Sequence, residues 1–95
     1  MRLAGHYEGD AVLACGSRRI PVAVELFIEL DEVDADGRRA DEYRTWVGRI
    51  TAGDVDAATL MFESDLRVEL PSGRSAACAV LEDLRIVGLG DPPFD

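Results

Sequence analysis

In the stretch Ile20–Leu30, IPVAVELFIEL, every second residue is a large apolar one, and the residues between them are of mixed character. Its even-numbered residues would share one side of an extended chain: Ile20, Val22, Val24, Leu26, Ile28 and Leu30. Alternation over this length is typical of a half-buried β-strand, because successive side chains of a strand point to opposite faces. We therefore predict one long strand here, whose apolar face the rest of the chain must cover.

Segments on both sides of the long strand are predicted to pair with it. Residues 6–15, HYEGDAVLAC, form a first strand that joins the long strand through the short turn at Gly16-Ser17, while residues 1–4 are expected to fray. Residues 42–51, EYRTWVGRIT, follow a polar, acidic segment and form a third strand. Two hairpins of this kind place the long strand in the middle of a sheet.

The third strand presents Trp46 and Ile50 on its better core face. Gly48 lies between them and predicts either a close approach of the neighbouring backbone or a β-bulge, because it carries no side chain. Val47 and Arg49 point to the other side of this strand.

The C-terminal half contains three further strand patterns. Residues 65–70 and 74–81 are predicted to form a hairpin around the tight turn at 71–73, and residues 84–89 form the last strand. The second strand of this hairpin is apolar on both faces, which favours a central position or a closed structure.

Two segments of this half are less regular. Residues 54–64 favour a loop with one helical turn, capped by Asp54 and followed by a strand from about Leu60. Residues 90–95 form an extended tail that is rich in proline, and we expect Phe94 to pack against the body of the domain.

About six to seven short strands in 95 residues predict an all-β fold and a single domain over residues 1–95. The predicted architecture is a small antiparallel barrel or a barrel-like sandwich. At about 3.3 Å per residue the long strand spans about 36 Å, more than the roughly 30 Å diameter of a globule of this size. The strand must therefore coil or bend, which a closed barrel permits.

The formal net charge is −9, with 19 acidic residues against 10 basic residues, all of them Arg. Such an excess of negative charge repels nucleic acids and anionic membranes, so neither is predicted as a partner. Nothing resembles a signal peptide, since Asp10 interrupts the first apolar residues. The predicted location is the cytoplasm, where Cys15 and Cys78 are expected to be reduced and buried in strands.

The sequence offers little for catalysis. Nucleophilic hydrolysis needs a nucleophile, a base and an orienting acid, and the only imidazole is that of His6. Residues 32–37, EVDADG, resemble half of a calcium loop, but Tyr43 stands where the bidentate Glu would be. We therefore predict no catalytic residue, no cofactor and no metal site.

Five residues are candidates for contact with a ligand or a partner: Tyr7, Phe27, Tyr43, Trp46 and Arg49. Two functional uses remain open for Arg49: it lines a barrel mouth with Tyr7, Tyr43 and Trp46, or it faces a partner protein beside these aromatic residues. A third interpretation gives Arg49 no function beyond packing over Tyr43 or pairing with a neighbouring acid. Phe27 is predicted on the outer face, between two glutamates, where a partner would cover it.

Four short motifs follow one another along the chain: Tyr7-x-Gly9-x-Ala11, Val22-x-Val24-x-Leu26, Trp46-x-Gly48-Arg49-Ile50 and Gly88-x-Gly90-x-Pro92-Pro93-Phe94. Together they resemble a small actinobacterial domain family of unknown function, which occurs alone or C-terminal to flavin-dependent monooxygenases. The resemblance covers most of the chain and implies a role beside oxidoreductases. A longer acidic loop with Asp36-Gly37 replaces the family's short turn, Val47 replaces a tyrosine, and no catalytic residue carries over.

These observations predict a non-catalytic accessory or interaction module that works with a flavin-dependent oxidoreductase. The alternative is a small-molecule binding protein or small enzyme that uses an aromatic and Arg-lined barrel mouth. A concave pocket at the mouth would favour the alternative, and a filled barrel would oppose it. Self-association through an exposed strand edge is compatible with both, so a homo-oligomer is a further expectation.

Overall fold

The computed structural model of the protein describes residues 2–32 and 42–94. Its elements are, in chain order, β1 Arg2–Cys15, β2 Arg18–Glu32, β3 Glu42–Gly53, α1 Ala57–Leu60, β4 Leu66–Glu69, β5 Ser75–Val80 and β6 Arg85–Gly88. The predicted all-β fold is confirmed. The half calcium loop at 32–37 falls, apart from its first residue, outside the described residues.

The six strands close into an antiparallel barrel in the order β1-β2-β3-β6-β5-β4. The long strand is β2, which pairs with β1 on one side and with β3 on the other along nearly its whole length. The short strands β4, β5 and β6 complete the ring. The predicted barrel and the central position of the long strand are both confirmed.

The pairing of the long strand with β3 changes register at one point. Val24 pairs with Ile50 and Ala23 pairs with Ala52, so Thr51 is an extra residue on β3. A bulge of this kind bends the sheet and increases its local twist. The molecule extends 48 Å along its longest axis, more than the diameter expected of a globule of this length, so the long strand has room along this axis.

Alternating residues from every strand fill the interior of the barrel. In β2 the inward residues Val22, Val24, Leu26 and Ile28 are between 0 and 6% exposed. Buried residues of the other strands pack with them: Ala11, Leu13, Trp46, Ile50, Leu66, Val68, Ala76, Cys78, Val80 and Ile86. Trp46 and Ile50 thus occupy the predicted core face of β3. Because side chains fill the interior, the ends and the outer surface are the places where a partner or ligand can bind.

Two segments outside the strands close the ends of the barrel. Leu60 of α1 is 3% exposed and packs into the core beside Ile20. At the opposite end the C-terminal tail passes Trp46, whose Nε1 donates a hydrogen bond of 3.1 Å to the Gly90 carbonyl. Phe94 is half-buried and packs against the core, as predicted.

The N-terminal residues belong to the barrel wall, so the prediction that they fray is wrong. Arg2 pairs with Leu30 and Leu3 pairs with Glu29, before a register irregularity near Gly5. The reason is that Glu29 and Leu30, at the end of the predicted long strand, offer backbone partners to Leu3 and Arg2.

The segment between β3 and β4 also differs from its prediction. The helical turn is present, but its N-cap is Asp56 rather than Asp54, and the Asp56 carboxylate accepts from the amide of Ala58 at 3.0 Å. The strand predicted from about Leu60 is wrong, because Leu60 ends the turn with its side chain in the core. The next strand is β4, which lies within the range 65–70 predicted for the first strand of the hairpin. Among the described residues, no helix has the length and apolarity to cross a membrane.

Cys15 and Cys78 are free thiols with one strand between them. Cys15 pairs with Leu66 on β4, and Leu66 pairs with Cys78 on β5. Neighbouring strands lie about 4.8 Å apart, so the two Cα atoms are about 10 Å apart, beyond the roughly 7 Å limit for a disulfide. The geometry therefore keeps the two thiols separate, with Cys78 buried and Cys15 half-buried.

Alkaline pH is expected to destabilise the protein through Cys78. Burial raises the pKa of this thiol from its ordinary 9.0 to about 11. The folded chain keeps the proton where the unfolded chain loses it, so the contribution to stability is complete below pH 9.0 and is lost as the pH rises through about 11. Between about pH 8 and pH 11 the free energy of unfolding should fall by about 2 kcal/mol more in the wild type than in Cys78→Ala. Urea unfolding at both pH values measures this difference, and equal losses in the two proteins would contradict it.

Candidate functional site

Four of the five predicted contact residues have described side chains, and these four lie on two sides of the sheet. Trp46 is 1% exposed and, with Tyr7, packs on the core side. Phe27 and Arg49 face outward, and the side chain of Arg49 is 67% exposed. Tyr43 pairs with Asp31 in the β2–β3 ladder, and its side chain lies outside the part that the structure describes. The structure therefore does not bring Arg49 and Trp46 to a common barrel mouth.

The inner aromatic residues hold the C-terminal tail in place. The Tyr7 ring lies 6.0 Å from the Phe94 ring, centroid to centroid, and its hydroxyl donates to the Asp10 carbonyl at 2.6 Å. The indole N–H of Trp46 likewise donates a hydrogen bond, to the Gly90 carbonyl of the tail. Both polar groups have partners within the chain, so this end of the barrel is closed by packing.

The cross-strand pairs place the outward-facing side chains in two rows. The first row runs through direct pairs over five strands: His6, Phe27, Val47, Val87 and Ala79. The second row lies two residues away along each strand and is charged: Glu8, Glu25, Arg49 and Arg85. We call the central part of these rows the Phe27 face, which comprises Phe27, Val47, Val87, Glu25, Arg49 and Arg85. Its backbone is fixed by the ladders of β2, β3 and β6.

The charges on the Phe27 face form short-range pairs. Arg49 Nη2 lies 3.3 Å from Glu25 Oε1, and Arg85 Nη2 lies 3.3 Å from Asp83 Oδ2. A hydrogen bond from His6 is the main cause that lowers the pKa of the Glu25 carboxyl, and Arg49 acts in the same direction. With Asp83 at its border, the Phe27 face therefore has two cations balanced by two anions, although the whole chain carries −9.

A concave groove of about 450 Å³ lies over the Phe27 face. Phe27, Val47 and Gly48 form its apolar part, and its polar part comes from the two Arg–carboxylate pairs. Its volume falls within the range of small-molecule pockets. The groove is nevertheless on the outer surface, whereas the predicted ligand site was the barrel mouth.

A second cavity, of about 570 Å³, lies beside the start of the β1–β4 ladder. Val12, Pro21 and Pro71 contribute its apolar lining. Arg19 Nη1 lies 2.6 Å from Glu69 Oε2 in the same lining. Sequence patterns did not indicate this cavity, because the β1–β4 pairing joins segments more than 50 residues apart.

Sequence reasoning also missed that His6 and Glu8 lie next to Glu25. The signal was present in the hairpin turn, since pairing Cys15 with Arg18 across two turn residues fixes every later pair. Counting back along both strands then places Glu8 opposite Glu25 and His6 beside the same carboxylate. The imidazole Nε2 is 3.2 Å from Glu25 Oε2.

Comparison with known proteins identifies one family. The model of DUF4873, a domain of unknown function, matches residues 4–95. The expectation of a small domain family of unknown function is thereby confirmed. No curated protein and no solved structure shows significant similarity to the chain.

Proposed function

The chain belongs to the DUF4873 family, and we propose that it is a non-catalytic interaction module that binds a flavin-dependent oxidoreductase through the Phe27 face. The observation that carries this proposal is the apolar row of Phe27, Val47 and Val87 on the outside of a barrel whose interior is already filled. Outward apolar residues in register across three strands contribute nothing to the core, whereas a docked partner would bury them.

The composition of the Phe27 face suits a protein interface. Aromatic residues and Arg are enriched among the residues that dominate binding energies. Phe27 supplies a half-buried aromatic side chain, and Arg49 and Arg85 supply guanidinium groups that are 67% and 62% exposed. The balance of charge lets another protein approach this face without the repulsion that a net charge of −9 creates elsewhere.

The class of partner is inferred from the four ordered sequence motifs and the family that they resemble. They resemble a domain that occurs alone or C-terminal to flavin-dependent monooxygenases, so the Phe27 face would contact such an oxidoreductase either within one chain or between two chains. Binding of a small molecule at the barrel mouth is supported less well, because Trp46 and Tyr7 are engaged by the C-terminal tail and by β1.

Replacing Phe27 by Glu is expected to weaken binding of the oxidoreductase at least about tenfold, since truncating an interface anchor costs about 2 kcal/mol or more. The probe is a purified flavin-dependent oxidoreductase encoded beside this chain's gene, titrated into the purified domain by calorimetry. Phe62→Glu is the matched control, because Phe62 is 84% exposed and lies outside the Phe27 face.

Binding that is lost in Phe27→Glu and kept in Phe62→Glu supports the proposal. Thermal unfolding of both variants verifies that each is folded at the temperature of the titration. The proposal is wrong if the wild type binds none of the neighbouring oxidoreductases, or if both variants bind as well as the wild type.

A further inference from the structure

Three side chains that commonly bind metals meet on the outer side of the β1–β2 hairpin. His6 and Glu8 are two residues apart on β1 and therefore share a face, and Glu25 pairs with Glu8 across the ladder. One ligand atom from each of the three lies within 4.8 Å of the other two. Two of the residues come from β1 and the third comes from β2. The longest ladder of the barrel joins these two strands and fixes the backbone of all three residues.

The spacing between His6 and Glu25 in this cluster matches a tetrahedral metal site. His6 Nε2 and Glu25 Oε2 are 3.2 Å apart. Two ligand atoms at about 2.0 to 2.2 Å from a tetrahedral zinc ion lie roughly 3.4 Å from each other. An ion can therefore replace the hydrogen bond between these two groups with little movement of either side chain.

The charges around the cluster favour a cation. Glu8 and Glu25 are directly opposed across the strands, and like charges in that arrangement destabilise a sheet. Arg49 contacts Oε1 of Glu25 and offsets one of the two negative charges, so one negative charge remains and Oε2 faces the imidazole. By holding Oε1, Arg49 orients the Glu25 carboxylate in the way that groups hydrogen-bonded to a metal ligand orient that ligand.

The imidazole is also held in position. The ring of His6 lies 4.9 Å from the ring of Phe27, centroid to centroid, at an angle of 30°. This contact restricts rotation of the imidazole and keeps Nε2 directed toward Glu25. Pre-positioning of this kind reduces the ordering cost of binding.

We propose that His6, Glu8 and Glu25 form a three-ligand site for Zn²⁺, with a fourth position open to water. One imidazole and two carboxylates suit zinc and its first-row neighbours, whereas Mg²⁺ and Ca²⁺ prefer sites built from oxygen alone. Because one ligand position stays open, the site is of the kind that holds a water molecule or accepts a group from a bound molecule.

Zinc titration with two readouts tests this site. His6 is the only histidine of the chain, so its imidazole nitrogen resonances can be followed without assignment of others. We expect saturable Zn²⁺ binding with one ion per chain and a change of the Nε2 resonance, and neither effect with Mg²⁺. Competition calorimetry gives the affinity, which should fall at least about tenfold in His6→Ala and in Glu8→Gln.

Three control variants separate this site from other zinc ligands. Glu29→Gln alters a carboxylate further along β2 and should bind like the wild type. Cys15→Ser removes a thiol that donates to Glu63 at 2.9 Å, and Asp36→Asn alters the acidic segment, so neither should change the affinity. Unchanged His6 resonances at zinc saturation, or an affinity that falls only in Cys15→Ser or Asp36→Asn, would overturn the proposal.

Discussion

Gly48→Ala is expected to destabilise the barrel by about 3 kcal/mol, near the upper end of overpacking effects. A Cβ atom at this position would overlap the carbonyl oxygen of Glu25 and lie 2.6 Å from Leu26 Cδ2. The carbonyl belongs to the backbone of β2, so no rotamer change can relieve the overlap. Gly48 also pairs with Ile86 on its other side, and the strand cannot move away from β2 without disturbing β6.

Urea unfolding of Gly48→Ala against the wild type measures this loss. Gly90→Ala is the matched control, because a Cβ at position 90 meets open space. Its free energy of unfolding should lie within about 0.5 kcal/mol of the wild type. If Gly48→Ala were as stable as Gly90→Ala, the close approach of β2 and β3 described above would be incorrect.

Gly88→Ala is expected to destabilise the protein by about 2 to 3 kcal/mol, since the new methyl group would overlap the indole of Trp46. The indole would have to move from its buried position and lose its 3.1 Å hydrogen bond to Gly90. Trp46 is the only tryptophan of the chain, so its fluorescence reports the displacement directly. We expect a red-shifted emission in the folded variant, together with the loss of stability.

A double-mutant cycle with Trp46→Phe tests the cause of this effect. The smaller ring leaves room near position 88, so Gly88→Ala should cost less in the Trp46→Phe background than in the wild type. Equal costs in both backgrounds would show that the glycine is needed for another reason. Unchanged emission in Gly88→Ala would contradict the placement of the indole.

Much of the barrel could be predicted from the sequence because its strands alternate so regularly. The run from Ile20 to Leu30 fixes its own inward face, and the two-residue turn at Gly16-Ser17 fixes the first hairpin. Gly48 indicated a close backbone approach, which the structure confirms opposite Leu26. The strand expected from about Leu60 is absent from the described residues, because Leu60 ends α1 with its side chain buried at the barrel end. The start of β4 at Leu66 agrees with the strand predicted over residues 65–70.

The candidate site was harder to predict, since its residues meet only through long-range pairing. Phe27 was identified from its position on the outer side of β2, but its neighbour Val87 comes from a strand 60 residues later. Trp46 and Arg49 were predicted to line one barrel mouth, although they lie on opposite faces of the same strand, Trp46 in the core and Arg49 on the outer surface. Whether Tyr43 contributes stays a prediction, as its side chain lies outside the described residues.

We predict that this DUF4873 domain binds a flavin-dependent oxidoreductase on its outer face and not through its barrel ends. NMR titration of the isotope-labelled domain with the neighbouring flavin-dependent oxidoreductase tests it most directly. We predict that the largest signal changes fall on Phe27, Val47 and Val87. Changes confined to Leu60 and Phe62 at the opposite end, or no changes at saturating oxidoreductase, would contradict the claim.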